Sequence, residues 1–72
     1  MTKKEAIEVI LADKSAYETS LNYAVGYCKA SRNMVEKSQA FAVQVLYILN
    51  NITRWRNPQA KEVRKVLRTY NE

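Results

Sequence analysis

Seventy-two residues with a net charge of +5 set the bounds. This is a single domain, residues 1–72, and a chain so short buries only about 60% of its unfolded surface. One cysteine excludes an intrachain disulfide, the lack of histidine removes Cys/His zinc spacing, and one glycine with one proline leaves little room for a turn-rich β fold or a Gly-rich phosphate loop.

Thr2 and Glu5 have capping-box spacing, and Ile7, Ile10 and Leu11 follow as an i, i+3, i+4 apolar face. This predicts a first helix over about 3–13. Ser15 and Glu18 repeat the spacing and predict a second helix over about 16–31. One continuous helix is the alternative, because Asp13, Lys14 and Ser15 contain no breaker. Leu21, Ala24, Val25 and Cys28 form the core face of the second helix, with Tyr17 one turn earlier. Gly26 lies inside it and costs about 1 kcal/mol relative to alanine, which a close helix–helix approach would explain. Cys28 reads as a small buried apolar residue rather than a nucleophile.

Residues 31–37 read as a loop, with Asn33 or Ser38 as the next cap. The third helix is expected over about 37–55 and is the hub. Phe41, Ala42, Val45, Ile48, Leu49, Ile52 and Trp55 fall on one side of it, and Leu46 widens that side to about half the circumference. Arg56-Asn57-Pro58 ends this helix, and Asn57 with Pro58 starts a fourth over about 58–70. Ala60, Val63, Leu67 and Tyr70 form its apolar face. Lys61, Arg64, Lys65 and Arg68 form a separate basic stripe.

The fold expected is all-α, a bundle of three or four helices completed by self-association. The third helix is wider than short neighbours cover, and small domains without disulfide or metal commonly associate. The expected oligomer interface is Phe41, Val45, Ile48 and Ile52, most simply in a twofold dimer. The longest apolar run is too short to cross a bilayer. No signal-peptide pattern is evident, and a lone cysteine suits a reducing compartment, so the expected location is the cytoplasm.

Catalysis is not expected. No histidine is present for acid–base work, and the carboxylates fall near helix starts or on solvent-type faces. No cofactor or metal is implied. Charge is the functional signal. Residues 1–53 hold six Lys/Arg against five Asp/Glu, whereas residues 54–72 hold six against two. An anionic partner should favour the C-terminal quarter, with Arg54, Arg56, Lys61, Arg64, Lys65 and Arg68 as ligand-binding candidates. Arginine grips phosphate through paired donors, and the start of the fourth helix adds free amides unless Asn57 takes them. Tyr47 or Trp55 would stack on a base. The competing reading makes the cations a solvated face and Trp55 part of the core.

The stretches 21–30, 45–56 and 60–64 resemble short reading frames of phages and prophages of Gram-positive bacteria. The resemblance carries no site residues. It implies a setting in which small helical proteins act on host defence, by blocking a host protein or by sequestering a nucleotide signal in the host cytoplasm. Two other classes stay open. One is a helix-turn-helix-like DNA-binding regulator that reads through Gln59, Lys61, Arg64, Lys65 and Arg68. The other is a purely structural or assembly protein.

Overall fold

The computed structural model describes residues 1–69. Those residues form four α-helices and, among them, no strand. Tyr70, expected on the last apolar face, lies outside the described residues.

The first helix, α1, spans Lys3–Ala12. Its start is the expected capping box: Thr2 Oγ1 accepts the Glu5 amide at 3.1 Å, and the Glu5 carboxylate accepts the Thr2 amide at 2.6 Å. Ala6, Ile7, Ile10 and Leu11 point into the core. Past Asp13 the chain makes a single 3₁₀ turn, Lys14–Ala16, and α2 begins only at Ala24. The second helix is thus shorter than its pattern predicts, and it is not continuous with the first. Ser15 does not cap. Its hydroxyl donates to Asp13 at 2.9 Å, and the Tyr17 hydroxyl donates back to the Leu11 carbonyl. These bonds hold residues 14–17 against the end of α1, and the chain winds on in turns that still bury Leu21.

The second helix, α2, spans Ala24–Ser31 and buries Ala24, Cys28 and Ser31. Gly26 meets no neighbour: it is exposed, and a Cβ there would have nothing within 4 Å. The close helix approach expected at this glycine does not occur. Its φ is not positive either, so alanine fits without strain. Gly26→Ala is expected to raise stability by about 0.5–1 kcal/mol through helix propensity and a stiffer unfolded chain. A shift of the urea midpoint to higher concentration at unchanged slope checks this.

The cap of the third helix is Ser38, not Asn33. The Ser38 hydroxyl accepts the Phe41 amide at 3.1 Å. This helix, α3, spans Gln39–Asn50 and stops short of residue 55. The Asn51 side chain donates to the Tyr47 carbonyl at 2.8 Å and closes the helix end. Turns then carry Ile52 and Trp55 into the core, at 0% and 1% exposure. Asn57 Oδ1 accepts the Gln59 amide at 2.8 Å, and the Asn57 carbonyl accepts that of Ala60 at 2.9 Å. The last helix, α4, spans Ala60–Arg68 and buries Ala60, Val63 and Leu67.

The four helices pack in a ring. α1 lies between α2 and α4, α2 meets α3, and α3 closes on α4 by the lightest of these contacts. Phe41, Val45, Ile48 and Ile52, expected as an oligomer interface, are core residues of the single chain, no more than 2% exposed. Helices of the same chain cover them, so a second copy is not required to do so. What α3 leaves in solvent is a different set, Val43, Leu46 and Tyr47.

Candidate anion-binding site

The turn that follows α3 presents two arginines to solvent. Ile52 and Trp55 are drawn inward, which leaves Arg54 and Arg56 exposed on either side of the tryptophan. A hollow opens beside them, lined by Thr53, Arg54, Trp55, Arg56 and Arg64. Arg64 reaches it from α4. Its Nη2 donates to the Ile52 carbonyl at 2.7 Å and to the Trp55 carbonyl as well. That guanidinium is therefore half-buried and fixed. Its Nε and Nη1 hydrogens have no protein acceptor among the described residues.

The other basic candidates lie elsewhere. Lys61 and Lys65 are exposed on α4 and do not line this hollow. Arg68 lines an adjoining one with Arg64, Leu46 and Leu49. No carboxylate among the described residues pairs with Arg54, Arg56, Lys61, Arg64, Lys65 or Arg68. The structure therefore brings together three of the six candidates, Arg54, Arg56 and Arg64, and leaves Lys61, Lys65 and Arg68 apart from them. The α4 amides contribute less than expected, because Asn57 occupies those of Gln59 and Ala60.

Neither aromatic candidate stands ready to stack here. Trp55 is closed within the core, and its indole N–H donates to Asp13 Oδ2 at 2.8 Å. Burying the indole with its polar edge satisfied favours this placement over exposure. Tyr47 is half-exposed but does not line the hollow. Its ring lies 5.4 Å from that of Tyr27 on α2, tilted by 32°.

Asp13 is the residue the pattern missed. One carboxylate oxygen accepts Trp55 at 2.8 Å and Asn57 at 3.1 Å, so the end of α1 anchors the turn that carries the arginines. Hydrogen bonds from Trp55, then Asn57, then Ser15 hold the Asp13 carboxyl below its usual range. Glu5 is lowered by its bonds with Thr2, and Glu8 by its bonds with Arg32. Each of these groups binds its proton more weakly folded than unfolded. Their contribution is complete above the unfolded carboxylate pKa of about 4 and is lost as pH falls through the lower folded values. The expected result is a melting temperature that falls below about pH 4, with a shallower acid slope in Asp13→Asn. Thermal melts across that window check it.

The Cys28 thiol is buried, and burial foremost pushes its pKa up to about 12. At neutral pH it is a protonated thiol, not a nucleophile. No helix among the described residues is long and apolar enough to cross a membrane. Comparison with protein-family models, with curated proteins and with solved structures finds no match for this chain.

Proposed function

We propose that this chain is a small non-catalytic binding protein that captures a phosphate-bearing ligand at the turn between α3 and α4. The observation that carries this is the convergence of Arg54, Arg56 and Arg64 on one hollow, with no carboxylate among the described residues to neutralise them. Arg64 is held in advance by two carbonyls, so it loses little freedom when it meets an anion. Arg54 and Arg56 supply planar donor pairs that match phosphate oxygens. With the indole of Trp55 closed, the ligand is recognised by its phosphate rather than by a stacked base. The three arginines belong to one chain, so a monomer suffices, and self-association adds only a second copy of the site. In the phage setting that the resemblance implies, the protein would sequester a nucleotide signal of host defence in the host cytoplasm.

Duplex DNA is the second reading, because Lys61, Lys65 and Arg68 stand exposed along α4. Residues 51–59 separate α3 from α4. That connection is longer than the three- or four-residue turn of a helix-turn-helix, which weighs toward the single-phosphate reading.

Calorimetric titration against mono-, di- and cyclic nucleotides, and against random duplex DNA at low salt, tests both. One nucleotide class is expected to bind. Arg56→Ala should weaken it by about 1.5–3 kcal/mol, the worth of a charge-assisted bond. The same change should leave folding stability within about 0.5 kcal/mol. If no nucleotide binds, or if binding survives replacement of both Arg54 and Arg56 by alanine, the proposal fails. Binding to DNA alone, with a steep salt slope, selects the second reading.

A further inference from the structure

The light contact between α3 and α4 leaves a trough on the surface. Ala42, Leu46 and Leu49 from α3 and Leu67 from α4 line it, with Lys3 and Arg68 beside them. It continues into the adjoining hollow, where Leu46, Leu49 and Arg68 recur together with Arg64. Leu46 is 59% exposed. The helix that carries it, Gln39–Asn50, contains no charged residue. Among the described residues, every charge that lines the trough is positive: Lys3, Arg64 and Arg68.

We infer that this trough docks an acidic amphipathic helix of another protein. A helix laid along α3 would bury its apolar face against Leu46 and Leu49 and set its carboxylates toward Arg64 and Arg68. The trough follows a helix of 12 residues, about 18 Å at helical rise, which suits three or four turns of such a partner. Duplex nucleic acid would meet the cations but gain nothing from the leucines. A second copy is the poorer occupant. It carries +5 itself, and the carboxylates it gathers in one place are already bonded. Its own acidic hollow holds Glu5, Glu8 and Asp13, which are bonded to Thr2, Arg32 and Trp55 respectively. This site shares Arg64 with the phosphate-binding hollow but does not rest on that reading, and its apolar contacts are separate.

The probe is a synthetic helical peptide of leucine and glutamate in heptad spacing, with a leucine–lysine peptide as control. Amide chemical shifts of the labelled protein are followed during titration at low salt. The glutamate peptide should move resonances of residues 42–49 and 64–69, and added salt should weaken it. Leu46→Glu should weaken it by about tenfold or more, equivalent to 1.4 kcal/mol, with an unchanged thermal melt because the position is exposed. The lysine peptide should not bind. The inference is overturned if the glutamate peptide does not bind, if the lysine peptide binds equally, or if Leu46→Glu has no effect. It is also overturned if the free protein sediments as a dimer that Leu46→Glu dissociates, since the occupant is then a second copy. Nucleotide titration of Leu46→Glu should match the wild type, so loss of one activity is distinguishable from loss of the other.

Discussion

Trp55→Ala is expected to remove a large part of the stability of the fold, the largest loss of any single truncation in the core. The indole is 1% exposed and is the largest side chain in the core. Removing a buried tryptophan of this kind costs about 3–5 kcal/mol, through lost transfer energy and the cavity left behind. A domain of this length has roughly 4–10 kcal/mol in total. The truncation also removes the Trp55–Asp13 bond, one of the two that tie the end of α1 to the arginine-bearing turn. Far-ultraviolet circular dichroism and a urea titration check the outcome. Trp55→Phe separates the two contributions, since it keeps most of the apolar volume but has no N–H for Asp13. Its loss should be clearly smaller. A variant Trp55→Ala that melts like the wild type would mean that the indole is not part of the core.

The second large effect is expected at Arg64. Within the basic stripe of α4 this is the one side chain that spans to another element, through the carbonyls of Ile52 and Trp55. Arg64→Ala leaves both carbonyls without that partner. A hydrogen bond to a charged group contributes about 1.5–3 kcal/mol, and a loss in that range is expected. Arg64→Lys should recover only part of it, because an ammonium cannot reproduce the planar fork. Arg54→Ala, Arg56→Ala and Lys65→Ala change exposed residues and should stay within about 0.5 kcal/mol. Urea midpoints for the five variants test the contrast. Equal behaviour of Arg64→Ala and Arg56→Ala would mean that the carbonyl bonds do not support the turn.

These residues also mark how far periodicity reaches. The apolar faces named much of the core: Ile7, Ile10, Leu21, Cys28, Phe41, Ile48, Ile52, Val63 and Leu67 are all buried, but Ala42 and Leu46, read on the same side of α3, are exposed. Caps made of neighbouring residues were legible with Thr2 and Glu5 and with Ser38, one of two candidates, but not at the fourth helix, which starts at Ala60 behind Gln59 rather than at Pro58 behind Asn57. The path of the chain between faces was not. Ile52 and Trp55 continue the α3 face in sequence but are delivered by turns, because burial depends on where a side chain ends and not on the helix that carries it. Ser15 and Glu18 had the spacing of a cap, yet Ser15 turned toward Asp13, a competition that side-chain hydroxyls often win near helix ends. Asp13 and Trp55 are 42 residues apart, so no local pattern links them. The basic stripe appeared uniform for a related reason. Only the fold shows that Arg64 points to carbonyls while Lys61 and Lys65 face water.

The placement of α1 beside α4 has a consequence for synthesis. Ile7 and Ile10 leave the ribosome well before one of the two neighbours that shelter them, which begins at Ala60. At translation speeds of about 5–20 residues per second, α1 waits roughly two to ten seconds for that neighbour. The bond between Asp13 and Trp55 likewise has to wait for the turn before α4. During that interval α2 can cover only one flank of α1, and a short helix in water is marginal without its tertiary contacts. The nascent chain therefore cannot complete this core stepwise. The ring of helices closes when α4 arrives, in one cooperative event.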